Sequence, residues 1–472
     1  MHSRSSRLGN AVFLALATIV LTWQLFIPPA LSVANDNDFQ KLAGRYCLGN
    51  DPRTGPVLFD YTSLRWYFSP SACIRWPQRT AAEIPFLVAM GLNRLFSSRS
   101  WFDLRWMGVV YGALFLAGFI WMQHALSFVP QATSFAVQAA YLLVICNAVY
   151  VPWFNTFYFD ALTFACLTGA IASLCLLVLR PYVSAIGILF TGLWLALVAG
   201  SKSQHAAIAL VCLPLLWLPS PKRGLGPMWP RVASTFLVVA AAILSLGTIP
   251  GSYRGMAPFN VLFYRILPSQ PDPARYLAET RIPPFWSRYI GQHTFMPGSA
   301  LETEAAQEKF ATWFDPMDLI GFYARHPSLA WYIAEINLTE ASFDRVRMKT
   351  GAIEHRLGNY EKSVGKPPQS LSHFLGVWPA AKHAVISGRP LVYLAWIIAV
   401  IGAAWALAPP VPRIRILLLT FTACLAIAWT IPMLDGLDAG RHLAIFNFLL
   451  DLLVCGEVGM LVQRYVQSNS RG

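Results

Sequence analysis

Apolar residues in this chain come in long unbroken runs, not in the short alternating or one-face patterns that build a water-soluble core. A helix needs roughly 20 such residues to cross the hydrocarbon layer, and that ruler predicts about ten spans. They lie near residues 10–31, 106–124, 134–152, 161–179, 183–200, 205–219, 232–249, 390–408, 415–432 and 444–462. Two long segments separate them, residues 32–105 and 250–389. In the first, residues 83–97 are too short and interrupted to span, which predicts an amphipathic helix lying along the membrane surface. Trp101 and Trp106, which follow, suit an interfacial aromatic belt. In the second, a Pro-rich beginning gives way to a helical middle over 301–362. There Leu319 to Ile336, broken by Arg325-His326-Pro327, predicts a surface-lying or partly embedded helix rather than extra spans. No repeat of fixed period runs through the chain.

Charge orients these elements. If the N-terminus is inside, the inner segments hold Arg4, Arg7, Arg180, Lys222, Arg223, Arg231, Arg413, Arg415, Arg464 and Arg471, with no Asp or Glu beside them. Lys and Arg are retained on the cytoplasmic side during insertion, so both termini are expected inside and both long segments outside, with short outer turns around Phe154, Lys202 and Leu437. The expected fold class is an all-α polytopic membrane protein in three parts. Residues 1–249 form a transmembrane module with a catalytic outer loop at 32–105. Residues 250–389 form an extracytoplasmic loop long enough for a small domain, and residues 390–472 form the C-terminal membrane helices.

Composition narrows the function. The 472 residues are 56% hydrophobic and 12% charged, with mean hydropathy +0.48, which excludes a soluble enzyme of this length. The net charge of +13 is accounted for as an insertion signal, so it requires no nucleic-acid partner. The first apolar stretch exceeds a usual signal-peptide core and reads as a retained span, although Ala-Leu-Ser-Val-Ala imitates a cleavage site. Of the eight Cys, only Cys47 and Cys73 lie outside, and a disulfide and two free thiols both stay open. His293, His326, His355, His373 and His383 lie in the second outer segment without ligand spacing, and no metal site is predicted. Asn337-Leu-Thr is a glycosylation sequon in the same segment.

The most informative stretch is Asn35-Asp36-Asn37-Asp38-Phe39-Gln40-Lys41, immediately outside the first span. A carboxylate at the membrane surface is partly desolvated, which makes it a better base toward a hydroxyl, while a neighbouring acid or cation tunes it. The same residues also suit a helix cap or a turn. Asp451, near the middle of the last span, costs about 2.5–3.5 kcal/mol on insertion scales, so it must face protein or water. Asn447, one turn earlier, is an available partner, and the pair reads as structural.

This arrangement resembles the GT-C class of integral-membrane glycosyltransferases, the group that includes protein O-mannosyltransferases and lipid A aminoarabinose transferases. The shared layout is a short tail (residues 1–9), one span, an outer loop opening with acids (Asp36, Asp38), surface-lying helices (83–97), and a second span beginning near an Arg (Arg105). The layout covers the whole chain, the motif about its first 125 residues. Many members carry adjacent acids, whereas Asn37 separates these two. Asp38, followed by Phe39 and Lys41, is the favoured base, with Asp36 as an orienting or metal-facing partner.

The resemblance implies transfer of a sugar, with inversion, from a polyprenyl-phosphate carrier to an acceptor hydroxyl on a lipid, glycan or protein outside a bacterial inner membrane. No cofactor is required by the sequence, and a divalent cation stays open. Cations must stabilise the departing phosphate, and candidates at outer ends of spans are Lys202, His205, Arg254, Arg265, Arg441 and His442. Gly436 and Gly440 would let a ligand approach the backbone beside Arg441, while Asp435 or Asp438 could simply neutralise that Arg. Asn155, Tyr158 and Asp160 are candidates for sugar or acceptor binding, or for capping the fourth span. Two other classes compete: a transporter or flippase of a lipid-linked glycan, and a glycan polymerase or ligase. A transporter should show charges at the bilayer midplane and broken helices in paired halves.

Overall fold

A computed structural model describes residues 4–27, 30–33, 35, 38–51, 63–180, 183–219, 228–343, 376–437 and 439–469. Asp36, Asp438, His355 and His373 lie outside the described residues. In chain order the N-terminal part contains α1 (Arg4–Phe26), α2 (Phe39–Ala43), α3 (Glu83–Phe96), α4 (Arg105–Leu126), α5 (Gln131–Val144), α6 (Asp160–Leu179), α7 (Ala185–Ser201), α8 (Ser203–Val211), α9 (Leu213–Leu216) and α10 (Trp229–Gly247). The outer segment adds α11 (Tyr253–Phe259), α12 (Pro273–Ala278), α13 (Glu304–Ala311), α14 (Pro316–Arg325), α15 (Pro327–Ser342) and α16 (Val377–Ile386). The chain closes with α17 (Pro390–Leu407), α18 (Pro412–Met433) and α19 (Ala439–Asn469).

The fold is an all-α polytopic membrane bundle. Among the described residues seven helices, α1, α4, α6, α10, α17, α18 and α19, are long and apolar enough to cross a membrane. The other three predicted stretches are also helical but shorter. The helix α5 has 14 residues, α7 has 17, and the last is divided at Cys212 into α8 and α9. In the most apolar window of α6, 83% of residues are buried, against 17% in α17, so α6 is the central post and α17 faces lipid. Close approach to α6 relies on small residues, as is usual where helices pack in lipid. A Cβ at Gly118 of α4 would lie 3.0 Å from the Gly169 backbone of α6, and one at Gly169 would strike the Trp194 ring of α7.

The first outer loop holds a feature that the apolar pattern did not predict, an antiparallel sheet of β1 (Leu48–Gly49), β2 (Arg65–Phe68) and β3 (Trp101–Asp103) in that order. Leu48 pairs with Phe68 and Arg65 with Asp103, so the sheet joins the two ends of the loop. Beside it Cys47 and Cys73 are disulfide-bonded, 4.0 Å apart at Cα. The helix α3 lies where the sequence placed a surface helix. Phe86, Ala89 and Met90 pack inward, while Ile84, Leu87, Val88, Leu95 and Phe96 are exposed on the outer side.

The outer segment has a hydrophobic core of its own around Phe259, Phe263, Trp286 and Phe310, with the first two rings stacked at 4.7 Å. Its helices start at side-chain caps. Asp272 caps α12, Thr303 caps α13, and Asp315 with Asp318 forms a capping box on α14. The Arg325-His326-Pro327 break divides α14 from α15, and α15 packs against α17 and α19. Asn337 in α15 is only 2% exposed, with its amide on Met433, so the sequon is not available for glycosylation in the folded chain. The partner predicted for Asp451 is also corrected. Fully buried Asp451 meets Lys382 Nζ at 3.2 Å and the Tyr150 hydroxyl at 2.7 Å, whereas Asn447 donates to the Ala341 carbonyl and accepts from Tyr393.

At one end of the bundle the basic residues cap helix C-termini. Arg413 donates to the carbonyls of Leu177 (2.6 Å) and Val178 (3.1 Å) at the end of α6, Arg464 to Ala406 (2.6 Å) near the end of α17, and Arg231 to Leu216. Cations are favoured where helix carbonyls lack partners. The end of α1, the start of α6, the α7–α8 junction and the start of α19 gather at the opposite end.

Candidate functional site

The site forms where those four chain positions meet. The short helix α2 begins at Asp38, which sits in the N-cap position yet makes no side-chain cap hydrogen bond. The capping role falls instead to Asn35, whose Oδ1 accepts from Phe39 N at 3.4 Å. Asp38 therefore does not serve as the side-chain cap of α2. Phe39 anchors the turn: it is fully buried and meets Tyr158 at 4.7 Å, Phe157 at 5.6 Å and Trp66 at 5.8 Å. Rings at these separations and tilted angles add specific attraction to a large buried area.

Both oxygens of Asp38 hold cations, Oδ1 the Lys41 ammonium at 2.5 Å and Oδ2 the Arg441 guanidinium at 2.6 Å. Burial alone would raise the carboxyl's pKa, but Lys41, Arg441 and the more distant Lys202 hold it well below the ordinary carboxylate range. Burial would likewise lower the Lys41 ammonium, and Asp38 pushes it above its ordinary value instead. Lys41 also lies 5.5 Å from the Trp76 ring and 5.4 Å from the Tyr253 ring. Burial raises the Tyr253 hydroxyl, which the sequence did not single out, and Lys41 opposes that rise. Arg441 is fixed against the Tyr158 ring at 5.1 Å and is itself only 6% exposed.

A second carboxylate, Asp160 at the start of α6, is 2% exposed and meets Lys202 Nζ at 3.0 and 3.1 Å. His205 Nε2 stands 3.7 Å from the same carboxylate, and its Nδ1 bonds Thr163 at 2.7 Å. Lys202, His205, Arg441 and His442 all act electrostatically on Asp160, so the two carboxylates share one field. The α7–α8 junction carrying Lys202 is held by the first loop, through Ala81 N on the Gly200 carbonyl (2.6 Å) and Gln78 on Ser203 (3.4 Å). Arg45 braces that strap, bonding Glu83 and the Trp76 and Gln78 carbonyls.

Of the predicted residues, Asp38, Tyr158, Asp160, Lys202, His205, Arg441 and His442 converge here. Arg441 pairs with Asp38, and Asp435 takes His442 at 3.1 Å. Asp435 is held below the usual carboxylate range: burial raises it, but His442 and the Leu437 N–H outweigh that. Three predicted residues are placed elsewhere. Asn155 is fully buried, with its amide on the Leu25 and Leu31 carbonyls at 2.9 and 3.0 Å, and so closes the end of α1. Arg265 donates to the Gly436 carbonyl at 2.8 Å, tying the outer segment to the α18–α19 turn. Arg254 is exposed on α11 and makes no ion pair among the described residues. Gly436 accommodates protein, not ligand: a Cβ there would come 2.5 Å from the Asn260 backbone. Lys41 and Tyr253 are the additions. Lys41 had a signal, its i,i+3 spacing from Asp38, while Tyr253 had none.

The donor set bears on a divalent cation. Asp38 pairs with Lys41 and Arg441, which repel a cation, and among the described residues no group of three or more His, Cys, Asp or Glu is placed to hold one. What the arrangement offers is an anion site: fixed guanidinium and ammonium groups beside an acid, walled by aromatic rings. The chain finds no match among curated proteins or solved structures. A family model does match it, over residues 2–471, and on that match the chain belongs to the YfdI N-terminal transmembrane domain family.

Proposed function

We propose that this protein is a GT-C-type glycosyltransferase of a bacterial inner membrane that moves a sugar from a polyprenyl-phosphate donor to an acceptor hydroxyl on the extracytoplasmic face. The observation that carries this reading is the convergence of Asp38, Lys41, Asp160, Lys202 and Arg441 from four chain segments at one end of the bundle. A group-transfer site of this kind needs an acid–base residue beside cations that stabilise a departing phosphate. In the step, the acceptor oxygen forms a bond to the anomeric carbon and its proton passes to Asp38. The bond from that carbon to the phosphate oxygen breaks, and the leaving electron pair stays on the lipid phosphate, held by Arg441 and Lys41, with Lys202 adding to the positive field. Attack from the face opposite the phosphate inverts the carbon. The half-buried rings of Trp76 and Tyr253, 5.5 and 5.4 Å from Lys41, supply surface on which a sugar ring can pack.

The transport alternative calls for charge lining a midplane pathway. Asp451, the carboxylate in the body of the last helix, instead faces Lys382 and Tyr150 within the packed bundle. The test is reconstitution of the full chain in liposomes with a polyprenyl-phosphate sugar, following loss of sugar from the lipid. Asp38→Asn is expected to lower turnover by at least about a hundredfold, the usual share of a general base. Turnover equal to wild type would remove Asp38 from the chemistry.

A further inference from the structure

A carboxylate gripped by two cations is a poor base, and the same grip occupies the groups that should bind phosphate. The two difficulties resolve together. We propose that in the free protein the Asp38 carboxylate occupies the anion position on Arg441 and Lys41 that the donor's phosphate takes in the complex, so that donor binding itself releases Asp38 to accept a proton.

The geometry separates the fixed part of this pair from the exchangeable part. Arg441 is 6% exposed and packed on the Tyr158 ring, and it rises from the start of the 31-residue helix α19. It stays in place whichever anion it holds. Asp38 has a 23% exposed side chain on a five-residue helix whose capping is done by Asn35. Lys41 is 21% exposed and has the Trp76 and Tyr253 ring faces within 5.5 Å, surfaces along which its ammonium can shift while remaining stabilised. The neighbouring pair differs in this respect. Asp160 is buried and contacts Lys202 through both oxygens, so that carboxylate is a fixed part of the wall. A guanidinium edge donates to carboxylate and phosphate oxygens with the same geometry, which makes exchange at Arg441 chemically direct.

The inference rests on the glycosyltransferase reading only for the identity of the anion, and its test does not use turnover. Dodecyl phosphate is titrated by calorimetry into the full chain in nanodiscs, for wild type and Asp38→Asn. With the internal competitor removed, the variant is expected to bind about tenfold more tightly, the scale of one charge-assisted hydrogen bond. Equal or weaker binding by a folded variant overturns the proposal, since removing a carboxylate that occupies the anion position must raise phosphate affinity. A second measurement uses wild type alone. In protein labelled with ¹³C at the Asp carboxyls, saturating dodecyl phosphate should shift a carboxylate stretch in the infrared difference spectrum, and saturation without a shift overturns the proposal. No binding to wild type refutes the anion site and the exchange together. Tighter binding by the variant without sugar transfer by wild type refutes the transferase reading and leaves the exchange standing. Transfer by wild type without tightening refutes the exchange alone.

Discussion

Lys382 and Asp451 offer the sharpest energetic prediction, because both side chains are almost completely out of solvent, 2% and 0% exposed. At their separation of 3.2 Å and an effective dielectric near 20, the attraction is on the order of 5 kcal/mol. The Tyr150 hydroxyl adds a charge-assisted hydrogen bond of about 1.5–3 kcal/mol. Desolvation of two ions offsets much of this, so the pair as a whole contributes little, but removing one partner leaves a buried charge with its main compensation gone. Lys382→Met and Asp451→Asn are each expected to destabilise by about 3–5 kcal/mol, and the double variant by clearly less than the sum. Unfolding in mixed micelles with rising detergent denaturant, read by near-ultraviolet circular dichroism, measures all four proteins of the cycle. Additivity within about 0.5 kcal/mol would show that the two charges do not interact and would refute the reasoning. The result also bears on function: if the pair only docks α16 against the bundle, turnover per folded molecule stays at the wild-type level in the double variant.

Two further outcomes follow from the site. Phe39→Ala empties a fully buried ring position beneath α2 and should cost about 3–5 kcal/mol of unfolding free energy while weakening dodecyl phosphate binding; unchanged stability would refute the anchoring role. The Asp38–Lys41 pair should be insensitive to ordinary pH. Asp38, lowered, contributes stability above the usual carboxylate pKa of about 4 and loses it only as pH falls through its still lower folded value. Lys41, raised, contributes below about pH 10.4 and loses it only above that. The stability difference between wild type and Asp38→Asn should therefore be flat from about pH 5 to 9, and a slope there would refute the assignment.

Hydropathy is local and additive, so the chain's apolar runs showed where its helices lie. The small sheet escaped because β1 has two residues and β2 four, too few for a period, and their partners are set by loop closure. At the site, residue type and position at a span end were enough to select Asp38, Lys202 and Arg441. Their pairing was not legible, because Asp38 and Arg441 stand 403 residues apart and meet only through helix packing. Asn155 shows the converse: its chemistry suits a sugar, but its amide serves the unpaired carbonyls at the end of α1. Only the coordinates separate the cap, Asn35, from the acid, Asp38, because both residue types favour the same turn.

The arginines on the far end of the bundle link biogenesis to folding. Arg413, Arg231 and Arg464, the residues expected from the sequence to act as topology signals, satisfy the last carbonyls of α6, α9 and α17. A single span threaded the wrong way relative to its neighbours would also carry its Arg away from the carbonyls it serves, in a medium that supplies no other donor. For such a misplaced span, wrong topology and unsatisfied helix ends would be one error.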